Sequence, residues 1–496
     1  MRMNKFFNTT FRNFLGSSSL WYKYMILSFL ILNPILLLVE NLMFPGQKII
    51  TGWFVVIESI LILAFTLKCY PLAPLTLISI EIILLKLTTF EILTEEVRNN
   101  FSLILMLIFA IAPIYFHKNI INFIFNKIIV KTKSKIVLSV FFLVTSAFLS
   151  AFLNALTVVA IIVTICSGLY GIYTEYYKKV EMLKDSKDRL EKRQFGSFLR
   201  SILMHSAIGT AVGGVSTMIG EPQNFLIAKT MNWSFKEFFI NILPVSASVL
   251  VFAILVCIIV EKYKLFGFGT ELPKDILEEI KKHQENKIKH MGDRVRVKII
   301  FECISLICFI GMLAIGTIEV GIAGLIIIGF INALSGNTKE EEIGKAFESC
   351  IPFTGLIILF FVISSMIEQS KLFEPIINFA LSFHDGIQKL IIFISTGILS
   401  SISDNVFVAT IYIGEISKAF SNGLISLEQF NSLGKIVNVA TNITSMATPN
   451  GQAAFLFLLT SYITQKIYLN YSRMVVMAIP YTIVLSTVAI IISCFL

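Results

Sequence analysis

The residues able to do chemistry in this chain sit in four short polar segments inside long apolar runs. Ser150–Ala160 (SAFLNALTVVA) and Ser400–Thr410 (SSISDNVFVAT) form one pair, in which Ser150 aligns with Ser400 and Asn154 with Asp404. Gly213–Asn224 (GGVSTMIGEPQN) and Asn442–Gln452 (NITSMATPNGQ) form the second. Here Thr217-Met218 aligns with Ser445-Met446, and each segment runs on into a proline among carboxamides, Pro222-Gln223-Asn224 and Pro449-Asn450-Gly451-Gln452. Hydroxyl, carboxamide and carboxylate oxygens are hard ligands suited to a Na⁺-like ion. A carboxylate can also take up a proton, which a carboxamide cannot. The candidate ion-binding and coupling residues are therefore Ser150, Asn154, Thr157, Glu221, Asn224, Ser403, Asp404, Asn405, Thr448 and Asn450, with Asp404 and Asn154 as the direct Na⁺ ligands. Glu221, at the break in GEPQN, is placed to ligand a cation, cap a half-helix or titrate. Walker A, HExxH, GxSxG and Rossmann glycine patterns are missing, so neither ATP-driven pumping nor hydrolysis in the membrane has its usual marker. No catalytic residue and no cofactor is predicted.

The elements that carry these segments follow from composition. Hydrophobic residues make up 56% of the 496 and charged residues 15%, with a mean hydropathy of +0.81. A surface this apolar needs lipid as its solvent. That excludes a secreted enzyme, a nucleic-acid binder and a disordered scaffold. The net charge of +9 resides in short loops, and Lys/Arg-rich loops mark the cytoplasmic side. By that rule 118–135, 175–200 and 261–298 are cytoplasmic, as is the basic N-terminus, while the acid-rich Glu91–Arg98 is external. The predicted division is a cytoplasmic segment 1–24, a first transmembrane half 25–260, a cytoplasmic linker 261–298 and a second transmembrane half 299–496. The seven cysteines lack CxxC spacing and read as small buried hydrophobes.

Lipid cannot satisfy free backbone N–H and C=O groups, so a broken helix persists at membrane depth only where it lines a polar cavity. Freed carbonyls coordinate a cation, and freed amides attract anions. Two matched pairs of broken elements make an internal repeat of the secondary-transporter kind. Glu58 and Glu81 lie inside apolar spans, where they are expected either to pair with a lysine such as Lys68 or Lys86 or to take part in coupling. His205 is expected to be a packed, hydrogen-bonded side chain.

Longer stretches carry a resemblance. Phe198–Leu226, Leu399–Tyr412 and Ala447–Thr460, with Trp21-Tyr22-Lys23, Leu67–Pro71 and Val260–Gly267, closely resemble the NhaB family of bacterial Na⁺/H⁺ antiporters, from Phe11 to the C-terminus. The resemblance implies an all-α polytopic membrane protein of the ion transporter superfamily, with about eleven transmembrane helices, two re-entrant hairpins and broken helices in an inverted repeat. The hairpin tips would be Leu153-Asn154-Ala155 and Ser403-Asp404-Asn405. It further implies electrogenic Na⁺/H⁺ exchange by alternating access in a bacterial inner membrane, with a homodimer compatible with the superfamily. One departure stands out: the family pattern SAFLDALT reads SAFLNALT here, with Asn154 in place of the aspartate. Proton coupling must then fall on Asp404 or Glu221. An asparagine at this tip also suits a Na⁺-coupled anion symporter of the same superfamily, which is the alternative reading.

Overall fold

The computed structural model describes residues 9–110, 112–132, 134–180, 188–272, 274–348 and 350–495. The basic stretch 175–200 falls partly outside them. Among the described residues there is no strand. Among the described residues nine helices are long and apolar enough to cross a bilayer, and Ile49–Ala64, Leu72–Leu84 and Val320–Ser335 are shorter apolar helices. Their lipid-side faces expose large apolar residues such as Leu42, Leu84 and Ile315, as expected where hydrocarbon replaces water.

The helices that frame the site are α1 (Leu20–Met43), α2 (Ile49–Ala64), α3 (Leu72–Leu84), α4 (Lys135–Phe152), α5 (Ala155–Val180), α6 (Asp188–Gly214), α7 (Pro222–Thr230), α8 (Phe235–Lys262), α9 (Asp385–Ile402), α10 (Asn405–Ser421), α11 (Leu427–Ile443), α12 (Ala453–Thr460) and α13 (Tyr471–Phe495). Two residues, Leu153 and Asn154, separate α4 from α5, and Ser403 and Asp404 separate α9 from α10. The break between α6 and α7 runs over 215–221. That between α11 and α12 holds a 3₁₀ turn, Thr444–Ala447, and then residues 448–452.

Small residues set the spacing of these elements. Gly209 and Gly213 of α6 pack directly on the backbones of Leu143 and Ala147 of α4, where any Cβ would collide with the carbonyl oxygens. This small-xxx-small stripe lets two helices approach more closely than side chains would permit. In the second half Gly397 of α9 receives the Thr444 side chain, whose hydroxyl lies 3.1 Å from the Gly397 carbonyl. The same contact is thus made with the small and the larger residue exchanged between partners.

A buried polar cluster fixes α4 to the surrounding helices. Glu261 Oε1 of α8 accepts from Lys135 Nζ (2.7 Å) and Ser139 Oγ (2.9 Å) of α4 and lies 2.8 Å from His205 Nε2 of α6. His205 Nδ1 lies 2.8 Å from the Tyr481 hydroxyl of α13, and the Gly269 amide donates to Glu261 Oε2 at 3.0 Å. Four helices meet here, and each charge has a partner, without which burial is costly. His205 is therefore the packed, hydrogen-bonded residue expected.

The expectation for Glu58 and Glu81 needs correction. Neither pairs with Lys68 or Lys86. Both accept instead from the Asn33 amide of α1, at 2.8 and 2.9 Å. Lys86 offers its backbone carbonyl to Lys48, and its side chain takes no part.

Candidate ion-binding site

The two short breaks at 153–154 and 403–404, the expected tips, are built alike. The Asn154 carbonyl accepts from Thr157 and Val158 amides, and the Asp404 carbonyl from the Val408 amide, so each residue is the N-cap of the following helix. Each side chain then caps its helix. Asn154 Oδ1 accepts from the Leu156 amide at 2.8 Å. Asp404 Oδ1 accepts from Val406 at 2.8 Å and Phe407 at 3.3 Å. Asn and Asp are the favoured residue types for this task because a short side-chain oxygen reaches the unpaired first-turn amides.

The two breaks are also alike, in a register that differs from the Thr/Ser-Met alignment. The Thr217 hydroxyl donates to the Ala151 carbonyl of α4, and Thr448 donates to the Ser401 carbonyl of α9 (2.5 Å). Each threonine oxygen then accepts from the amide three residues on, Gly220 at 3.2 Å and Gly451 at 3.4 Å. Thr217, Gly220 and Glu221 thus correspond to Thr448, Gly451 and Gln452. Both glycines are needed for close approach: a Cβ on Gly220 would meet the Gly214 carbonyl, and one on Gly451 the Ser445 and Ser400 carbonyls.

Glu221 and Gln452 are the N-caps of α7 and α12, both in extended backbone, and neither side chain caps its helix. Pro222 at the first position of α7 suits a helix start, since its missing N–H would be unpaired there anyway. Each half therefore holds three equivalent polar stations, the tip, the threonine and the N-cap of the break, with one carboxylate. In the first half it stands at the break (Asn154 and Glu221), in the second at the tip (Asp404 and Gln452). The sequence reading missed Gln452 as the counterpart of Glu221.

Several candidates hold the frame. The Asn224 amide donates to the Gly214 and Thr217 carbonyls, both at 2.7 Å, and its Oδ1 accepts from Asn442 at 2.8 Å. That oxygen already has a donor, so Asn224 pins the break. Gln223 donates to Asn442 Oδ1 at 3.0 Å, linking α7 to α11. The Ser403 hydroxyl donates to the Leu399 carbonyl at 2.8 Å, and the Ser400 hydroxyl donates to Asn405 Oδ1.

Other oxygens are buried and reached by no protein donor. They include Glu221 Oε1, Ser150 Oγ, Asn450 Oδ1, Gln452 Oε1 and Thr396 Oγ1. Asn450 is held in place by its amide, which donates to the Ala64 carbonyl at 2.7 Å. A Cβ on Gly214 would lie 3.3 Å from Glu221 Oε1 and 3.5 Å from Ser150 Oγ, so these two oxygens flank one bare glycine. Leaving a buried acceptor without a donor costs about 1–3 kcal/mol. A bound cation offsets that cost.

Two cavities open onto this region. One, of about 320 Å³, is lined by Asp404, Asn405, Glu221, Gln223 and Asn450, together with Tyr70 and apolar side chains. The other, of about 350 Å³, is lined by Asn154, Thr157, Glu221 and Lys118. Leu156, Glu221, Pro222, Phe353, Ala453 and Phe457 border both. Glu221 is thus in the shared wall, Asp404 on one side only and Asn154 on the other. Among the described residues that line the first cavity, the charged side chains are the two carboxylates Asp404 and Glu221.

Comparison with known proteins agrees with this architecture. The profile of the family Bacterial Na⁺/H⁺ antiporter B (NhaB) matches residues 1–496. The Na(+)/H(+) antiporter NhaB of Marinomonas sp. (strain MWYL1) is 46% identical over 489 residues, covering 96% of each chain. That of Shewanella denitrificans is 43% identical over 490 residues, covering 97% of this chain and 92% of the relative. That of Yersinia enterocolitica is 44% identical over 487 residues, with the same two coverages. From end to end, then, the chain belongs to the NhaB family of bacterial Na⁺/H⁺ antiporters.

Proposed function

We propose that this chain exchanges Na⁺ for H⁺ across the bacterial inner membrane, electrogenically and by alternating access, with its N-terminus in the cytoplasm. The observation that carries the reading is the first cavity, whose charged lining among the described residues is Asp404 and Glu221. Two carboxylates among apolar walls are unfavourable as bare anions and favourable with a cation or proton between them. Na⁺ and H⁺ then compete for the same oxygens. Asp404 and Glu221 are the titrating ligands, and Ser150, Asn450 and Gln452 supply neutral oxygens. Asn154 holds the equivalent tip as a neutral carbonyl ligand. Asn224 and Thr448 hold the breaks in shape.

The α4–α5 and α9–α10 pairs serve as the re-entrant hairpins of an inverted repeat. The matching tip caps and threonine clips support that assignment. Glu221, bordering both cavities, is the carboxylate that meets the ion from either side as access alternates. An anion symporter would need cationic donors beside the coupling ion; the described lining of the first cavity holds none, and Lys118 in the second is the cation beside which an anion would have to bind. The exchange is tested in everted membrane vesicles from cells making this chain. Adding Na⁺ should dissipate a respiration-driven ΔpH, whereas an unchanged ΔpH, with Na⁺-dependent uptake of an anion, would contradict the reading.

A further inference from the structure

Asn33, Glu58 and Glu81 make a second polar cluster that borders neither cavity, in the layer formed by α1, α2 and α3. Asn33 is fully buried, Glu58 is 1% exposed and Glu81 8%. One amide nitrogen bridges two carboxyl groups, donating to Glu58 Oε2 at 2.8 Å and to Glu81 Oε2 at 2.9 Å. Two further oxygens of the cluster, Glu58 Oε1 and Asn33 Oδ1, are buried and reached by no protein donor.

No cation among the described residues compensates the pair. On α1, Lys23 donates to the Phe11, Arg12 and Gly16 carbonyls, and it lies with Tyr22 and Tyr24 about three turns from Asn33. Glu40 of α1 accepts from Thr51 and Ile50. Apart from Glu58 and Glu81, α2 and α3 carry no charged residue. The helix Ile351–Gln369, which packs on α2 and α3, has Glu368 as its charged side chain, and that is paired with Lys418. On α9, which packs on α2, Asp385 and Lys389 are paired with each other at 2.8 Å.

We propose that Glu58 and Glu81 form a second proton-binding site, in which the pair shares one exchangeable proton carried on the Glu58 carboxyl and is held together by Asn33. Two buried negative charges with one neutral donor between them are unfavourable, and one proton removes half the charge. A metal ion fits less well, because the position between the carboxylates is taken by the donor edge of the Asn33 amide, where an alkali cation needs oxygen. Merely structural polar contacts between membrane helices are common, but a permanently neutral pair would not exchange its proton with the medium.

The test is infrared difference spectroscopy of the reconstituted full-length chain, titrated from acid to alkaline buffer. It is run in an Asp404→Asn/Glu221→Gln background, so that the cavity carboxylates contribute nothing and the outcome is independent of the transport reading. A protonated-carboxyl band should disappear with rising pH and be missing when Glu58→Gln is added. Adding Glu81→Gln instead should move its disappearance to lower pH, because the repelling neighbour is gone. Gel filtration of each variant checks folding, and either single variant suffices if the other misfolds. The proposal is overturned if the Glu58 variant loses no band, if the band stays constant through the titration, or if Na⁺ at fixed pH removes it, which would mark an alkali-cation site instead.

Discussion

Asn154 and Asp404 cap α5 and α10 through the same bond, in which the backbone amide two residues on donates to the side-chain Oδ1, 2.8 Å long in both. The geometry of a tip is thus independent of whether its side chain carries a charge. What differs is the ability to release a proton. In this chain the first-half carboxylate stands at Glu221, the N-cap of α7, and the second-half carboxylate at Asp404.

This separates structure from coupling at position 154. Asn154→Asp keeps a good N-cap, so thermal stability should change by less than about 0.5 kcal/mol. It adds a carboxylate to the second cavity, which should alter the H⁺/Na⁺ ratio obtained from reversal potentials in proteoliposomes. A ratio and pH profile identical to wild type would mean that the first tip takes no part in coupling.

Asp404 can be dissected in the same manner. Asp404→Asn preserves the cap and removes the charge, whereas Asp404→Ala removes both and should cost about 1 kcal/mol more in stability. Both should lose Na⁺-driven proton movement, and only the alanine variant should melt earlier. Loss of exchange in Ala together with normal exchange in Asn would assign Asp404 to capping and the proton to Glu221.

Glu221→Gln makes the first break match the second, where Gln452 holds the equivalent station. Because the Glu221 side chain makes no capping bond, the variant should fold. Na⁺ affinity should fall by about tenfold or more, equivalent to about 1.4 kcal/mol. Na⁺-dependent quenching that saturates at the wild-type concentration would remove Glu221 from the site.

Gly214→Ala probes the space between Glu221 and Ser150. The new methyl would sit 3.0 Å from Glu221 Cγ and 3.3 Å from its Oε1, closer than carbon packing allows, so the carboxylate must shift by a few tenths of an ångström. The apparent KM for Na⁺ should rise severalfold with little change in melting temperature, since alanine favours the helix end. An unchanged KM would place the ion away from these two oxygens.

Glu261→Leu tests the frame. It leaves Lys135 buried without its carboxylate, and breaking such a pair costs about 3–5 kcal/mol. A large drop in melting temperature is expected, and an unchanged one would show that Lys135 finds water.

The tips and breaks were legible in the sequence because Asn, Asp, Glu and Pro stand out in runs of Ile, Leu and Phe, where lipid tolerates few polar groups. Which oxygens face a cavity was not legible. Asn224 and Asn450 look equivalent as carboxamides after a broken helix, yet the Asn224 oxygen has a donor and the Asn450 oxygen does not. The register of the second pair was misleading because Thr217-Met218 and Ser445-Met446 look alike, while the hydrogen bonds match Thr217 with Thr448. Spacing could have shown it, since Thr-x-x-Gly-Glu/Gln occurs in both. Asn33 was missed because its contact with Glu58 and Glu81 crosses three helices, and periodicity within one helix gives no sign of a partner on another.

Proton movement driven by Na⁺ in proteoliposomes holding only the purified chain tests the central claim most directly. With an inward-facing pH-sensitive dye, an imposed Na⁺ gradient should drive H⁺ the opposite way in the wild type. The rate should respond to membrane potential, and it should fall to background in Asp404→Asn. A Na⁺ gradient that moves no protons in the folded wild-type chain, or one whose proton movement survives undiminished in an Asp404→Asn/Glu221→Gln double variant, would contradict exchange at these two carboxylates.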